Sequence, residues 1–341
     1  MKRVSKSVGP TPNKVSEILQ IVRSALETHR LLDYADHVVI GLSGGPDSMA
    51  LLHLLIALRH ELGIKISVAH FNHRIRRQAA RDEQFVKDYA KKMGVPVFCE
   101  SASTQPPSCG SLEDWARQER YKFFKRVAQK ADADAIALGH TADDLAETVL
   151  MRIIRGSGLQ GLVGMEYKRT INDVLILRPL LGVEKRSVYE YLQALNVPYC
   201  IDTTNSKTDF FRNKIRLELL PRLVKEYNPH MMQALVTLSN TSSADYSFLM
   251  THASAIWDEH VNFKSAAVCM NVSSARQWHP AMRRIIIRMA YERVKGDLNQ
   301  LTFDHVTSVE NLIFAEIAFV QLPAHVAVEK RKQMVLFFKK N

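Results

Sequence analysis

The chain has 341 residues, enough for about two domains at roughly 150 residues each. Hydrophobic residues make up 46% and charged ones 24%, ordinary globular values that exclude a disordered or collagen-like chain. Lys and Arg number 46 against 35 Asp and Glu, and the resulting charge of +11 favours a polyanionic partner, nucleic acid before membrane. The four cysteines, at 99, 109, 200 and 269, include no CxxC pair, which fits free thiols in a reducing compartment. The basic start, Met1 to Lys6, is not followed by an apolar run, and no apolar stretch is long enough to span a bilayer. The expectation is a cytoplasmic protein with no membrane partner.

Apolar spacing predicts a helix over Val15–Leu32, then a β-branched strand at His37–Ile40 and a helix over Asp47–Leu62. The unit repeats: strand Ile64–His70, helix Ala79–Met93, strand Val95–Cys99, helix Leu112–Lys130, strand Ala135–Leu138, helix Thr141–Arg155. Such alternation implies right-handed crossovers and an α/β fold with a doubly wound parallel sheet. The strands are apolar throughout, as when helices cover both faces. After the glycine-rich stretch at 156–164 come a strand at Val174–Leu177 and a helix at Glu184–Leu195. A basic helix follows over Phe210–Tyr227, in which Pro221 should cause a kink or an end. Beyond it the pattern is mostly helical, with Met231–Leu249, Pro280–Val294 and a strand pair in the tail at Val326–Lys339. The expected division is residues 1–218 and a smaller, mostly helical C-terminal domain at 219–341.

The clearest chemical signal is Ser43-Gly44-Gly45-Pro46-Asp47-Ser48, between the first strand and the helix after it. Two glycines let a ligand approach the backbone, and the following helix N-terminus attracts an anion. Ser43 and Ser48 add hydroxyl donors. The GxxxxGK[ST] pattern is absent. A carboxylate beside phosphates needs a cation between them, so Asp47 implies Mg²⁺. An N-cap role would explain an acid or a serine here, but not the two glycines with both serines.

The hexapeptide resembles the SGGxDS loop of the PP-loop ATP pyrophosphatases, whose fold is adenine nucleotide alpha hydrolase-like. Three further segments narrow the resemblance: 69–76 (AHFNHRIR), 139–148 (GHTADDLAET), and 202–205 (DTTN) with 211–216 (FRNKIR). In this order they resemble the tRNA(Ile)-lysidine synthetase family over roughly residues 35–222. The resemblance implies ATP bound by Ser43, Gly44, Gly45, Pro46, Asp47, Ser48, His70, Gly139 and His140. It implies Mg²⁺ at Asp47 and Glu147, and catalytic roles for Asp47, Arg120, Asp144, Glu147 and Arg212.

The residues themselves leave alternatives open. His70 and His140 end strands of a doubly wound sheet, where ligands bind. Asp143, Asp144 and Glu147 open a helix, and Asp144 and Glu147 share one face. Clustered carboxylates near phosphate call for Mg²⁺ or a substrate ammonium, and residue types alone do not choose between them. Arg120, Arg212 and Arg216 carry planar guanidinium groups suited to phosphate or base edges.

By resemblance the partners are the CAU-anticodon tRNA(Ile) and L-lysine, and a homodimer is compatible with the sequence. The activity implied is ATP-dependent joining of lysine to the wobble cytidine through an adenylated base. The C-terminal domain, with Arg283, Arg284 and Arg288, is expected to hold tRNA. Thiolation of tRNA is disfavoured by the missing CxxC pairs. A decayed, non-catalytic RNA-binding module is disfavoured by the intact Ser43, Asp47, Asp144 and Glu147.

Overall fold

The computed structural model describes residues 12–74, 79–103, 111–201, 211–264, 267–315 and 318–340. Cys109 and the segments Ile75-Arg76 and Asp202-Thr203-Thr204-Asn205 lie outside these ranges. The chain forms two compact units, residues 1–242 and 243–341.

In the first unit α1 (Pro12–Thr28) leads to β1 (His37–Gly41), α2 (Pro46–Leu62), β2 (Lys65–Asn72), α3 (Ala79–Lys92), β3 (Val97–Ser101), α4 (Leu112–Ala131), β4 (Ala135–Ala137) and α5 (Ala142–Ile154). The short α6 (Leu159–Leu162), β5 (Lys168–Ile171), β6 (Val174–Leu177) and α7 (Lys185–Ala194) follow. The sheet order is β3-β2-β1-β4-β6-β5, and every pairing is parallel except β5 with β6. The doubly wound expectation therefore holds.

Successive strand residues face opposite sides. Val38 and Ile40 join a core with Ile18, Leu51, Leu55 and Leu192, whereas Val39 packs with Phe123, Phe124 and Ile136. Helices thus cover both faces, which explains the uniformly apolar strands. The chain winds outward in one direction from β1 to β3 and in the other from β4 to β6. A crevice opens at the carboxyl ends of β1 and β4, where doubly wound sheets bind ligands.

The basic helix expected at Phe210–Tyr227 is three linked pieces: α8 (Phe211–Lys214), a π-helical turn (Ile215–Leu219) and α9 (Leu220–Glu226). Pro221 occupies the first turn of α9, where its missing N–H costs nothing. Its ring would crowd the carbonyl four residues back, Leu217, and that carbonyl lies in the wider π turn. The Leu220 amide bonds to Ile215 O, so helical continuity survives the proline.

Residues beyond 218 still belong to the first unit. Leu220, Leu235 and Val236 pack with Leu145, Val149 and Ile215, and Ser239 Oγ donates to Val163 O at 2.7 Å. The units therefore divide at Ser242, within α10 (Met231–His260), rather than near residue 218.

The second unit contains β7 (Val261–Lys264), β8 (Ala267–Asn271), α11 (Val272–Gln277), α12 (Pro280–Lys295), α13 (Phe303–Phe314), β9 (Phe319–Gln321), β10 (Val326–Arg331) and β11 (Met334–Lys339). The strand pair expected in the tail is β10 and β11. Three short strands join it in a five-stranded antiparallel sheet, β7-β8-β11-β10-β9. Strands of three to five residues carry too few positions to show alternation in sequence.

Arg283 was expected to face tRNA, but it is a core residue at 6% exposure. It donates to Glu310 Oε1 at 3.1 Å, Trp278 O at 2.9 Å and Ala275 O at 3.3 Å, and lies over the Phe314 ring. The second Glu310 oxygen accepts from Arg284 Nε at 2.8 Å. Truncating Arg283 removes one of the two partners of a buried carboxylate and the donor to two carbonyls. Arg283→Ala should therefore destabilise the second unit by about 1–3 kcal/mol, measured by urea unfolding.

Candidate active site

The loop after β1 is stitched to itself. Ser48 Oγ accepts from the Ser43 amide at 3.2 Å, donates to Gly45 O at 3.0 Å and lies 3.0 Å from Ser43 Oγ. Gly44 has φ +85°, a left-handed conformation that glycine adopts without strain, and its carbonyl accepts from the Cys200 amide at 2.8 Å. Helix α2 starts with Gly45 as N-cap and Pro46 in the first turn. The amides of Asp47 and Ser48 have no intrahelical acceptor, so the turn presents donors and a positive dipole end. The loop after β4 meets this turn. A Cβ on residue 139 would sit 2.8 Å from Asp47 O and 3.0 Å from Ser48 N, so only glycine fits.

Two histidines lie near the carboxyl ends of the flanking strands, His70 within β2 and His140 in the loop after β4. His70 is buried and its Nδ1 donates to Leu42 O at 2.8 Å, which leaves Nε2 as an acceptor in the neutral ring. Burial pushes its pKa down. His140 Nδ1 is buried and has no hydrogen-bond partner among the described residues. Burial first, then the cationic Arg178, Arg120 and Arg212, depress the ring to about 3 against the pull of Asp144. Both histidines are neutral at pH 7.

Beside them lies an ionic cluster. Thr141 caps α5, and Asp144 Oδ2 accepts from the Thr141 amide at 3.0 Å and its hydroxyl at 3.1 Å. Asp144 Oδ1 accepts from Arg212 Nη2 at 3.0 Å and Arg216 Nη2 at 3.2 Å. Glu147 Oε2 accepts from Arg212 Nε and Arg216 Nη2, both at 2.9 Å, and Oε1 accepts from Arg216 Nε at 2.5 Å. Burial acts to raise the Asp144 pKa, but Arg212, the Thr141 amide and Lys185 outweigh it and hold the carboxyl below its ordinary range. Asp144 therefore stays ionised and suits holding a cation better than carrying a proton. The second arginine comes from the π turn, a feature frequent at functional sites.

Asp47 has different company. Its Oδ2 pairs with Lys185 Nζ at 3.2 Å, while Oδ1 is buried and has no hydrogen-bond partner among the described residues. Burial, aided by Asp144, raises its pKa against the effect of Lys185. Lys185 is itself fixed at the start of α7, its amide donating to Asp143 Oδ2 at 2.7 Å.

Residues 12–223 match the family model of a PP-loop domain. The chain is 36% identical over 327 residues to the tRNA(Ile)-lysidine synthase of Clostridioides difficile, covering 94% of this chain and 70% of that protein. The chain belongs to the tRNA(Ile)-lysidine synthase family. The protein of the same name from Solibacter usitatus is 36% identical over 82% of this chain and 61% of its own length. The chain thus spans roughly two thirds of these relatives. Among solved structures, a U34-tRNA thiolase from Methanococcus maripaludis superposes with a TM-score of 0.57 at 20% identity, covering 67% of this chain and 78% of that one. It shares the fold.

Within this member of the lysidine synthase family, one crevice gathers Ser43 to Ser48, His70, Gly139, His140, Asp144, Glu147 and Arg212 from β2, the loops after β1 and β4, the first turns of α2 and α5, and α8. Arg120 on α4 acts on His140 through its charge. Glu147 was paired with Asp47 as a magnesium ligand, yet both of its oxygens are taken by arginines. Among the described residues no group of three or more His, Cys, Asp and Glu is disposed to hold a metal. Among the described residues Asp47 Oδ1 has no hydrogen-bond partner, whereas both Glu147 oxygens are held by arginines. Grooves of about 580 and 490 Å³ lie elsewhere, the larger at the amino ends of β1 and β2 beside His37 and Lys65.

Sequence reasoning missed Lys185. The available signal was a basic pair, Lys185-Arg186, in the first turn of a helix, where the dipole disfavours cations. It also gave no role to Arg178, which is buried, donates to Glu166 O at 2.6 Å and adds charge beside His140.

Two outcomes follow from this geometry. Gly139→Ala should drive α2 from the β4 loop, costing about 1–3 kcal/mol of stability in urea unfolding and weakening ATP binding. The depressed pKa values of His140 and His70 mean that the unfolded chain binds more protons below about pH 6.5. The contribution of each ring is complete above that value and is lost as pH falls; for His140 the loss continues toward pH 3, by up to about 1.4 kcal/mol per pH unit. Urea midpoints between pH 7 and 5 should therefore fall, and His140→Asn should make the fall shallower.

Proposed function

We propose that the chain forms lysidine on tRNA(Ile), using ATP to activate the wobble cytidine of the CAU anticodon and L-lysine as the nucleophile, so that the tRNA reads AUA. One observation carries this reading: a phosphate loop and an acid–arginine cluster converge at the switch point of a PP-loop domain whose relatives are named for this activity.

The Ser43–Ser48 loop would take the triphosphate, with the adenine toward His70 Nε2 and the α-phosphate toward His140. The C2 carbonyl oxygen of cytosine attacks the α-phosphorus, and the bond to the β-phosphate oxygen breaks to release pyrophosphate. The neutral His140 can hydrogen-bond there without adding charge. Mg²⁺ bound at Asp47 would neutralise charge between that carboxylate and the phosphates. The ε-amine of lysine then attacks C2, loses a proton and expels AMP with the former carbonyl oxygen. Free lysine arrives as an ammonium, its pKa being about 10.4, and Asp144 and Glu147 are the carboxylates placed to hold it in exchange for a guanidinium. The freed Arg212 and the nearby Arg120 would stabilise negative charge on the phosphate. The same reading places the protein in the cytoplasm, with its substrate tRNA.

The two ion pairs of Glu147, with Arg212 and with Arg216, favour a second role for it, as a positioning residue for these arginines. Labelled lysine incorporation into bulk tRNA with ATP and Mg²⁺ tests the activity; no transfer from the wild-type protein defeats it. Glu147→Gln should cut incorporation by about a hundredfold or more, as for loss of one charged transition-state contact. If Glu147 binds lysine, the KM for lysine rises and tRNA-dependent pyrophosphate release is retained. If it positions the arginines, pyrophosphate release falls and the lysine KM stays.

A further inference from the structure

We propose that Lys185 is a substrate-binding residue: its ammonium neutralises Asp47 in the free protein and moves to the pyrophosphate end of ATP when the nucleotide binds. The inference rests on the ATP-dependent reading above and adds a phosphate contact to it.

Four observations converge. Lys185 Nζ lies 3.2 Å from Asp47 Oδ2, on the first turn of α2 and hence at the mouth of the Ser43–Ser48 loop. The pair is loose and partly open, with side-chain exposures of 27% and 21%, so the ammonium can turn to a neighbouring oxygen without crossing the core. The other Asp47 oxygen, Oδ1, is buried and lacks a hydrogen-bond partner among the described residues, so Lys185 satisfies only half of the carboxylate. A bound cation at Oδ1 would weaken the hold on Lys185 and release it toward phosphate.

The fourth observation is the backbone setting. Lys185 opens α7, a ten-residue helix, at the end where the dipole disfavours a cation. Asp143 from α5 binds the Lys185 amide at 2.7 Å and fixes the start of that helix. Asp143 thus anchors the main chain while the side chain reaches across to α2. A lysine held against its own helix dipole, beside a second helix N-terminus, faces a site built for negative charge. Lysine also suits exchange between two anions, because its ammonium is a compact charge on a flexible stem.

The test compares wild type, Lys185→Met and Lys185→Arg for equilibrium binding of ATP, AMP and inorganic pyrophosphate with Mg²⁺ and without tRNA. Lys185→Met should weaken ATP and pyrophosphate binding by about tenfold or more, the loss expected for one charge-assisted hydrogen bond. AMP binding should change less than twofold, and Lys185→Arg should recover part of the ATP affinity. Asp47→Asn/Lys185→Met removes the unpaired carboxylate, and its thermal unfolding midpoint confirms the fold if the single variant is unstable. An unchanged ratio of ATP to AMP affinity in Lys185→Met, or in Lys185→Met/Asp47→Asn relative to Asp47→Asn alone, overturns the proposal and leaves Lys185 a structural partner of Asp47. Wild-type lysine incorporation separates the two readings. Without incorporation but with the ATP-selective loss, the lysidine assignment fails and the phosphate contact stands. With incorporation and no such loss, the reverse holds.

Discussion

The site depends on one close approach, that of the backbone after β4 to the first turn of α2. Space for a Cβ at residue 139 is absent, because Asp47 O would lie 2.8 Å away. With glycine there, the loops after β1 and β4 meet at the point where the winding of the sheet reverses. Asp47 then stands beside the start of α5, His140 reaches the crevice, and Asp144 follows one short turn later. A bulkier residue would separate the phosphate loop from the acidic helix, although every strand and helix could still form.

Charge balance is the second condition. Asp144 and Glu147 are buried carboxylates, and leaving either alone would cost several kcal/mol. Arg212 and Arg216 satisfy them by presenting guanidinium forks from successive helical turns, the second being the π turn that also accommodates Pro221. The pairing keeps Asp144 ionised. Around His140 the balance runs the other way: Arg178, Arg120 and Arg212 keep the imidazole neutral by repulsion, on top of burial. The crevice thus combines cation-holding acids with an uncharged ring next to the phosphate loop.

Lys185 and Arg283 illustrate opposite uses of a basic residue. Arg283 is enclosed by Glu310, two carbonyls and the Phe314 ring, so its charge is spent inside the second unit. Lys185 keeps a single, partly exposed ion pair at the edge of the phosphate loop. In both cases the environment, not the residue type, decides whether the charge is available to a ligand.

Local chemistry was legible in the sequence. Apolar strands alternating with amphipathic helices announced the doubly wound sheet, and Ser43 to Ser48 announced the phosphate loop, because both patterns arise between near neighbours along the chain. The ordered segments around His70, His140 and Arg212 pointed to the same crevice, since strand ends of such a sheet converge. Partners distant in sequence were decided only by the tertiary structure. Arg212 and Arg216 meet acids 65 to 72 positions away, and Lys185 reaches back to Asp47. An arginine bound to a carboxylate, one buried in a core and one facing solvent read alike in a sequence. Their difference lies in the dielectric and the opposing charges, which exist only once the helices have packed.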